Sequence, residues 1–340
     1  MRILIVNAGS SSLKLRLLGP GDELLESWHA LPDDLPTADV VAHRVVHGGT
    51  SFRDAVVIDA AVESALRDLI PLAPLHQPKA LQALDDVRRR LPDAIQIACF
   101  DTAFHATLGD VAATYALPHE WTTKYGLRRY GFHGLSHAWA SKRAMAMAPG
   151  VRRVVTCQLG AGVSLCAVLD GSSVDTTMGF TPLEGLVMAT RSGDVDPGLL
   201  MWLTSREPDL SDALEHRSGL TGLAGTGDMR ELLARADASA NLAVDIYLHR
   251  LRKGIAAMAA SMGGIDACVF TGGVGENSAE IRRRAVEGLA FLGLSVDDEA
   301  NSTASGDADI SSADAQAKVL VVAAREDVEM AGQARRLLAR

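Results

Sequence analysis

Short runs of apolar, often β-branched residues alternate along the chain with longer stretches in which apolar residues recur every three or four positions. The first pattern predicts buried strands and the second predicts amphipathic helices, and together they indicate an α/β protein. We predict strands over residues 3–8, 13–18, 39–46, 95–100, 152–159, 164–169, 267–272 and 318–323. We predict helices over residues 60–70, 78–91, 135–148, 198–206, 228–235, 238–262, 277–290 and 326–339.

One plan occurs twice in the chain. ILIVNAGSSSLKLRLL (3–18) and VVTCQLGAGVSLCAVL (154–169) each contain an apolar run, a turn of small residues and a second apolar run. In each half a later strand ends in polar or glycine residues, at IQIACFDTAFH (95–105) and at ACVFTGGVGENS (267–278). We therefore predict two similar domains facing a cleft, with a boundary near residue 148, where an Ala-Pro-Gly sequence interrupts the pattern.

Composition and charge narrow the class of protein. The chain has 340 residues, of which 48% are hydrophobic and 22% charged, a balance typical of a globular protein of two ordinary domains. Its net charge of −9 argues against a general nucleic-acid binder but does not exclude small anions. The four cysteines form no CxxC pair, which favours free thiols over a zinc site. The sequence contains no uninterrupted apolar run long enough to cross a membrane, so we expect a soluble, cytoplasmic protein.

The turn after the first strand contains candidate phosphate ligands. If the second strand resumes near Ser10, then Ser10, Ser12 and Lys14 share one face of it, because side chains alternate along a strand. Two hydroxyls and an ammonium beside a glycine turn can bind a phosphate. The alternative is an ordinary hairpin with serines in its turn. A Walker A sequence is absent.

Two charged residues lie in or directly after apolar strands. Arg44 falls inside a strand, where a guanidinium needs an anion to offset its desolvation, and that anion is either a ligand or a structural salt-bridge partner. Asp101 stands where a buried strand ends, the place at which α/β sheets build their sites. It orients another group or holds a metal-bound water, or alternatively it caps the next turn.

A second arginine is a candidate for the same anion. Arg191 lies in a turn crowded with acidic residues, where Asp194 and Asp196 offer local neutralisation as the alternative to ligand binding. If it is not neutralised, Arg191 and Arg44 clamp one anion, because the planar guanidinium suits carboxylate and phosphate.

Two glycine-rich segments precede helices. RRYGFHGLSH (128–137) combines charged residues, aromatic rings and two histidines around glycines that allow a ligand to approach the backbone. His133 in this segment can donate a hydrogen bond to a phosphoryl oxygen. His137 alternatively faces solvent. TGGVGEN (271–277) follows a strand and opens a helix through a glycine turn, a geometry that holds anions or a nucleotide. It does not match the GxGxxG of dinucleotide-binding folds.

Taken in order, eight segments resemble the acetokinase family, the acetate kinases, within the actin-like and sugar-kinase-like ATPase superfamily. They are NAGSSSLK, HRVVHGG, APLHQP, FDTAFH, RRYGFHGLSH, TPLEGLVMATRSGDVDPG, SGLTGLAGTGDMR and TGGVGENS. The resemblance implies two duplicated actin-like (ribonuclease H-like) domains facing a central cleft. It places the N-terminal domain at 1–148, with a helix at 326–340 packing back on it, and a nucleotide-binding domain at 149–325.

The resemblance also implies a reaction. This is the reversible, in-line transfer of the γ-phosphoryl group of ATP to acetate, giving acetyl phosphate and ADP, with Mg²⁺ or alternatively Mn²⁺. Acetate is already an anion at neutral pH, so no general base is assigned. The resemblance suggests a homodimer formed through the second domain, which contains the long apolar helix, and a role in acetyl-CoA biosynthesis.

Roles for individual residues follow from the same resemblance. The expected catalytic residues are Arg44, Asp101, His133 and Arg191. The expected acyl pocket, which Arg44 also contacts, is lined by Val46, Leu75, Phe132 and Pro182. The expected metal-side residues are Asn7 and Glu326. The expected nucleotide-binding residues are Ser10, Ser12, Lys14, Gln158, Leu159, Gly160, Ala161, Gly162, Asp228, Met229, Arg230, Gly272, Gly273, Val274, Gly275, Glu276 and Asn277.

Two segments depart from the family pattern. The usual HLGNG is replaced by Gln158-Leu159-Gly160-Ala161-Gly162, and the usual Asn-Glu-Glu is replaced by Arg325-Glu326-Asp327. Because of the first change, a pyrophosphate-linked acetate kinase is an alternative to an enzyme that uses ATP. Propionate kinase is an alternative on the same fold, and a catalytically silent, nucleotide-binding regulatory protein is the alternative from another class.

Overall fold

Two six-stranded sheets organise the computed structural model, which describes residues 1–9, 13–74 and 76–339. The first sheet contains β1 (Ile3–Ala8), β2 (Leu13–Leu18), β3 (Leu24–Trp28), β4 (Val40–Val45), β5 (Val56–Val57) and β6 (Ile95–Phe100). Its strand order is β3-β2-β1-β4-β6-β5, with β1, β4 and β6 parallel and the other three strands antiparallel to their neighbours.

The second sheet repeats this topology. It contains β7 (Arg153–Leu159), β8 (Val163–Leu169), β9 (Ser172–Thr176), β10 (Ala267–Thr271), β11 (Ala308–Asp309) and β12 (Lys318–Val321). Its order, β9-β8-β7-β10-β12-β11, matches the first sheet strand for strand, with β7, β10 and β12 parallel. The α/β class and the duplication predicted from the sequence are therefore confirmed. The pairing of strands within the repeat is corrected, because β10 corresponds to β4, and β6 corresponds to β12.

Fourteen α-helices occur in the described residues. They are α1 (Ala60–Asp68), α2 (Gln77–Arg90), α3 (Asp110–Ala113), α4 (His119–Tyr125), α5 (Gly134–Met147), α6 (Pro197–Thr204), α7 (Leu210–His216), α8 (Gly219–Ala224), α9 (Met229–Ala234), α10 (Ala238–Ser261), α11 (Gly272–Asn277), α12 (Ala279–Glu287), α13 (Asp298–Thr303) and α14 (Glu326–Leu338). Within the described residues, none of these helices has the length and apolar character needed to span a membrane.

The alternation of side chains along β1 explains how the first sheet is covered. Ile3 and Ile5 pack in one cluster with Met330 and Ala334 of α14, whereas Leu4 and Val6 pack on the other face with residues of α2. The chain therefore uses its last helix to bury one face of the sheet that its first strand begins. The long helix α10 contacts β7, β8 and three other helices of the second sheet's unit, as its nearly apolar second half predicts.

The chain divides into two units. The first comprises residues 1–106, 132–139 and 325–340, and the second comprises 107–131 and 140–324. The predicted boundary at 148 differs from this division, because the segment 107–131 hydrogen-bonds to the second unit. Thr107 Oγ1 donates to the carbonyl oxygen of Ser173 at 2.7 Å, and Tyr130 N donates to that of Gly179 at 3.0 Å. The assignment of separate functional roles to 1–148 and 149–325 stays a prediction.

Candidate active site

Three polar side chains lie at the carboxyl edge of the parallel strands in the first sheet. Asn7 is near the end of β1, Arg44 is near the end of β4, and Asp101 directly follows β6. The parallel register, which continues through Arg44 opposite Cys99, brings these positions side by side. The carboxyl edge of parallel strands is where α/β proteins bind ligands.

Arg44 is held from two directions. Its Nε and Nη2 donate to the two oxygens of Asp101 at 2.9 and 2.6 Å, and its Nη1 donates to Oδ1 of Asn7 at 3.1 Å. A guanidinium has five N–H donors, so these three bonds leave two donors without an acceptor in the described part of the chain. The salt bridge that the sequence offers as an alternative is present, and it leaves the guanidinium able to bind a further anion. Asp101 therefore orients another group, one of the roles that the sequence offered, and the group is Arg44.

Glu326, the first residue of α14, extends this polar chain. Asn7 Nδ2 donates to Oε2 of Glu326 at 3.0 Å. Burial disfavours the charged form of Arg44, but the carboxylates of Asp101 and Glu326 raise its pKa above the usual range. Arg44 is therefore cationic at neutral pH.

The acidic neighbour of Glu326 has a different role. Asp327 is paired with Arg16 of β2 at 3.0 Å and with Arg325 at 3.0 Å, and only 6% of its side chain is exposed. The altered Arg325-Glu326-Asp327 sequence thus forms an internal ion-pair cluster that fastens α14 to β2, and it leaves the carboxylate of Glu326 beside Asn7.

His133 has a left-handed backbone, with φ of 57°. The glycines on either side make different contributions. Gly131 has φ of 73°, and Gly134 donates its N–H to the carbonyl oxygen of Asp101 at 2.9 Å. A Cβ at Gly134 would lie 2.1 Å from that oxygen, so only glycine allows the segment to approach β6 so closely. This hydrogen bond holds the backbone that follows His133 against Asp101, within the same unit.

His137 is completely buried, so its predicted alternative environment in solvent is wrong. Its ring centroid lies 5.7 Å from that of His105, whose Nε2 is 3.0 Å from the carbonyl oxygen of Phe132. Burial lowers the pKa of His137 well below its ordinary value, and the neighbouring His105 and His133 lower it further. His137 is therefore a neutral core residue that supports the segment carrying His133.

The remaining predicted residues of the first unit have different environments. Lys14 is exposed on β2 directly opposite Asn7, so it shares a face of the sheet with Asn7. Val46 and Phe132 are buried, and the Phe132 ring packs edge-on against His47. Ser10, Ser12 and Leu75 lie outside the described residues.

Arg191, in the second unit, is a half-buried cation. Its Nη1 donates to the carbonyl oxygen of Pro182 at 3.3 Å and lies 3.9 Å from Sδ of Met188. Asp194 and Asp196 do not neutralise it, since they accept hydrogen bonds from the backbone N–H groups of Gly185 and Leu199. Among the described residues no carboxylate forms a salt bridge with Arg191. Burial lowers its pKa, which Glu215 raises in part.

A cavity of about 730 Å³ lies beside the glycine-rich segments of the second unit. Its volume is in the range of small-molecule sites. Of the predicted nucleotide-binding residues, it is lined by Gly160, Ala161, Asp228, Met229, Arg230, Gly273, Val274 and Asn277. The cavity is also lined by Gly227, Leu233, Ser278, Ala279 and Glu280, which the sequence analysis did not identify. Gly227 and Ser278 fall within the quoted segments SGLTGLAGTGDMR and TGGVGENS, whereas no sequence pattern indicates Leu233, Ala279 or Glu280.

The segment 271–277 follows a strand and opens a helix as predicted, but its glycine residues form the helix α11 itself, which begins at Gly272, instead of a separate turn. Gly272 and Glu276, also predicted to bind the nucleotide, are not among the residues that line the cavity. Gly272 has φ of 79°, and a Cβ there would lie 2.6 Å from Nε2 of Gln158. Glu276 Oε1 accepts hydrogen bonds from Gly272 N at 2.9 Å and from Ala324 N at 3.0 Å. Glu276 thus ties together the ends of β10 and β12.

The residues predicted to bind the nucleotide also include Leu159, Gly162 and Gly275. Leu159 is buried at the end of β7, and Gly162 accepts a hydrogen bond from Gly160 N at 3.0 Å within the turn to β8. Gly275 is buried, and its carbonyl oxygen accepts a hydrogen bond from Nη1 of Arg282 at 2.9 Å. These three residues are not among those that line the cavity.

Comparison with known proteins identifies the family. The model of the acetokinase family matches residues 21–332. A curated acetate kinase from Nostoc punctiforme is 49% identical over 306 residues, which cover 87% of this chain and 75% of that protein. The crystal structure of Porphyromonas gingivalis acetate kinase has a TM-score of 0.90 at 33% identity and 99% coverage of both chains. A propionate kinase from Francisella tularensis subsp. tularensis SCHU S4 has a TM-score of 0.90 at 34% identity and 98% coverage of both chains. The chain therefore belongs to the acetokinase family and is a phosphotransferase.

Proposed function

We propose that this protein is an acetate kinase, which transfers the γ-phosphoryl group of ATP reversibly to acetate and yields acetyl phosphate and ADP. The observation that carries the proposal is Arg191, a half-buried cation without a carboxylate partner among the described residues. A buried guanidinium without a counter-ion is suited to an anionic ligand. Membership of the acetokinase family supplies the class of that ligand.

The reaction needs few groups from the protein. A carboxylate oxygen of acetate forms a bond to the γ-phosphorus, and the bond from that phosphorus to the β,γ-bridging oxygen breaks, leaving its electron pair on ADP. No proton is transferred, because acetate is ionised at neutral pH. The protein must align the two oxygens and stabilise negative charge on the transferring group.

The two arginines supply most of that stabilisation. Arg44, which is fixed by Asp101 and Asn7, directs its two remaining N–H donors at acetate and the transferring phosphoryl group. Arg191 binds the same phosphoryl oxygens. His133 donates a hydrogen bond to an equatorial oxygen of the phosphoryl group, and Lys14 with Ser10 and Ser12 binds the entering phosphates. Groups held in place before the reaction stabilise the transition state without reorganising.

Glu326 is the proposed ligand on the metal side. Mg²⁺ binds through one or two carboxylates and the substrate phosphates and retains several waters. The single carboxylate of Glu326 fits that requirement, and no group of three or more His, Cys, Asp or Glu in the described ranges is arranged to hold a metal ion alone. Asn7 orients Glu326 through the 3.0 Å hydrogen bond. Bound Mg²⁺, or Mn²⁺ in its place, neutralises phosphate charge.

ATP and ADP occupy the 730 Å³ cavity in this proposal. The backbone of Gly160 and Gly273 allows close approach of the nucleotide, while Asp228, Met229 and Arg230 contact the adenosine. Asp228 and Arg230 form an ion pair at 2.7 Å, and this hydrogen bond lowers the pKa of Asp228 to about 2. The charged pair is therefore intact at neutral pH.

Propionate is the second candidate substrate, favoured by the structural similarity to a propionate kinase. We propose that the acyl group contacts Val46, Phe132, Leu75 and Pro182. A hydrophobic pocket discriminates against one methylene by only about 1–3 kcal/mol. We therefore expect propionate to be a slower substrate than acetate.

We further propose that the protein is a cytoplasmic homodimer in acetyl-CoA biosynthesis. Helix α6 of the second unit exposes Met201 and Trp202 by 73% and 55%. Large apolar side chains exposed together are typical of a protein interface. Helix α10 of the same unit buries most of its large apolar side chains and exposes Leu242, so we assign the contact to α6.

The decisive experiment traps the acyl phosphate as a hydroxamate. Purified protein is incubated with Mg²⁺, one phosphoryl donor and one carboxylate, with ATP and pyrophosphate tested as donors and acetate, propionate and butyrate as acceptors. We expect the highest turnover with ATP and acetate. If pyrophosphate supports turnover and ATP does not, the pyrophosphate-linked alternative replaces this proposal. Nucleotide binding without turnover in any combination would support the regulatory alternative.

A further inference from the structure

The loop that carries Pro182 determines where Arg191 points. The carbonyl oxygen of Pro182 is the oxygen to which the Arg191 guanidinium donates, at 3.3 Å. Farther along, Gly185 and Asp194 close the loop, because Gly185 N donates to Asp194 Oδ1 at 2.8 Å and Asp194 N donates to the carbonyl oxygen of Gly185 at 2.9 Å. Any force that fixes Pro182 therefore also orients Arg191.

Two anchors flank Pro182, two residues away on either side. On one side, Phe180 N donates to the hydroxyl oxygen of Tyr115 at 2.7 Å. On the other side, Glu184 accepts a hydrogen bond from that same hydroxyl through Oε2 and another from Arg129 Nη2 through Oε1 at 2.5 Å. The hydroxyl of Tyr115 thus connects both anchors.

Arg129 attaches this cluster to the second sheet. Its Nη1 donates to the carbonyl oxygens of Thr176 and Thr177 at 3.3 and 3.2 Å, and its guanidinium lies 5.6 Å from the centre of the Tyr115 ring. Since Thr176 ends β9, the cluster rests on a strand rather than on another loop. A side chain held by a strand is positioned more precisely than one held by a loop.

Gly179 makes room for the cluster. A Cβ at this position would lie 1.6 Å from Oε2 of Glu184 and 2.1 Å from the hydroxyl oxygen of Tyr115. Its carbonyl oxygen accepts hydrogen bonds from the backbone N–H groups of Tyr130 and Gly131. The backbone is therefore fitted closely around the hydrogen bond between Tyr115 and Glu184.

We propose that Tyr115, Arg129 and Glu184 are positioning residues for Arg191. They fix Pro182 from both sides, and Pro182 orients the guanidinium. Arg129 also neutralises Glu184, so that this nearby carboxylate does not compete with a substrate anion for Arg191. The inference deepens the proposed function and rests on it, because it concerns the arginine assigned to the transferring phosphoryl group.

The test compares Tyr115→Phe and Glu184→Gln in wild-type and Arg191→Lys backgrounds. In the wild type we expect each change to lower kcat by about tenfold. Tyr115→Phe removes the hydrogen-bonding partner of both Phe180 N and Glu184, and Glu184→Gln removes the charge that pairs with Arg129. In the Arg191→Lys background we expect less than about a twofold further loss, since residues that act through one group are not additive. Tyr125→Phe, on an exposed helix of the same segment, is the matched control and leaves kcat unchanged.

A second measurement separates positioning from general damage. The dissociation constant of Mg-ADP, measured by calorimetry, is expected to stay within about twofold of wild type in both variants, because the nucleotide cavity does not include these residues. Equal losses of kcat in both backgrounds, or a matching loss of Mg-ADP affinity, would overturn the positioning role. If the wild-type protein is active and both variants have its kcat, the positioning role is overturned and the proposed function is left intact. If the wild-type protein is inactive, the proposed function and the positioning role are both overturned.

Discussion

Asp101 and Arg44 form a two-pronged ion pair, with Nε and Nη2 of the arginine donating to the two carboxylate oxygens at 2.9 and 2.6 Å. Only 2% of the Asp101 side chain is exposed, compared with 15% of Arg44. The carboxylate is therefore the hidden member of the pair, and the guanidinium presents its free edge. Such a bidentate pair fixes the plane of the guanidinium as well as its position.

Replacing Asp101 by Asn tests the value of that orientation. An amide can accept only one of the two charge-assisted hydrogen bonds, so Arg44 loses its fixed plane. We expect kcat for acetyl phosphate formation to fall by about 10²-fold, the scale of losing one organised group in the transition state. The hydroxamate assay measures this. Asp170→Asn, in the exposed pair with Arg152, is the control and retains wild-type activity. A normal kcat in Asp101→Asn would exclude the role of the ion pair.

Replacing Glu326 by Gln should change the dependence on metal. The amide keeps a hydrogen bond with Asn7 but loses the negative charge proposed to bind Mg²⁺. We expect the Mg²⁺ concentration for half-maximal activity to rise by about tenfold or more, as measured by titration at fixed ATP. Glu287→Gln, an exposed carboxylate on α12, should titrate like wild type. If Glu326→Gln has an unchanged Mg²⁺ titration, another group binds the metal.

Gly272→Ala should disturb the backbone next to Gly273, which lines the cavity proposed for the nucleotide. The new Cβ would meet Nε2 of Gln158 and the carbonyl oxygen of Leu159 at 2.6 and 2.9 Å, and φ of 79° strains any other residue. We expect a loss of about 1–3 kcal/mol in the free energy of unfolding, together with weaker ADP binding. Urea denaturation and calorimetry measure both. At Gly109 no atom lies within 4 Å of an added Cβ, so Gly109→Ala should change neither quantity. Wild-type ADP affinity in Gly272→Ala would contradict this account.

Buried histidines should make the fold sensitive to mild acid. Burial lowers the pKa of His43, His47 and His105 to about 4, compared with 6.5 for an exposed histidine. Between these values the unfolded chain binds more protons than the folded chain. The free energy of unfolding therefore has its full value above pH 6.5. It falls as the pH decreases towards 4, by up to about 3 kcal/mol for each histidine.

Urea denaturation between pH 7.5 and 5 measures that slope. His43→Gln should have a shallower slope than wild type, since it removes one of the groups that titrate. His249→Gln changes an exposed histidine and should leave the slope as it is. A free energy of unfolding that is constant over this range would show that the buried histidines do not control acid stability.

The exposed face of α6 should govern assembly. A charge at Met201 is harmless on an exposed monomer surface but costly in an apolar interface. We expect wild type to elute as a dimer and Met201→Glu as a monomer in size-exclusion chromatography with light scattering. Val111→Glu places the same charge on a fully exposed apolar residue outside α6 and should remain dimeric. A dimeric Met201→Glu would place the interface elsewhere.

The centres of both sheets could be predicted from the sequence. Strands β1, β2 and β6 have the predicted limits, because β1 and β6 are largely buried apolar runs and β2 begins with alternating apolar and charged residues. The outer strands β3, β5, β9 and β11 were missed. Residues of β3 are largely exposed, and β5 has two residues, so neither gives an apolar run or a clear alternation. Short helices such as α3 and α8 were missed for the same reason, because too few turns are present to establish a period.

The contacts within the site could not be predicted in the same way. Arg44 and Asp101 were each identified, but which acid pairs with which arginine depends on strand register. Asn7 and Glu326 are 319 positions apart, and no local pattern connects them. The anchors of Pro182 were also missed, since Tyr115 is an ordinary aromatic residue until folding brings it to Glu184.

The location of α14 has a consequence for how the protein is made. Among the described strands β1 comes first in the chain and belongs to the sheet that α14 covers, and α14 follows the strands of both sheets. The second unit contains all of its strands by residue 321 and can fold during translation, whereas the first must wait with one apolar face uncovered. Glu326 arrives with that same helix. The growing chain therefore acquires Glu326, the carboxylate proposed to bind the metal, only at the step that covers the first sheet, and we expect a chain that ends before residue 326 to be inactive.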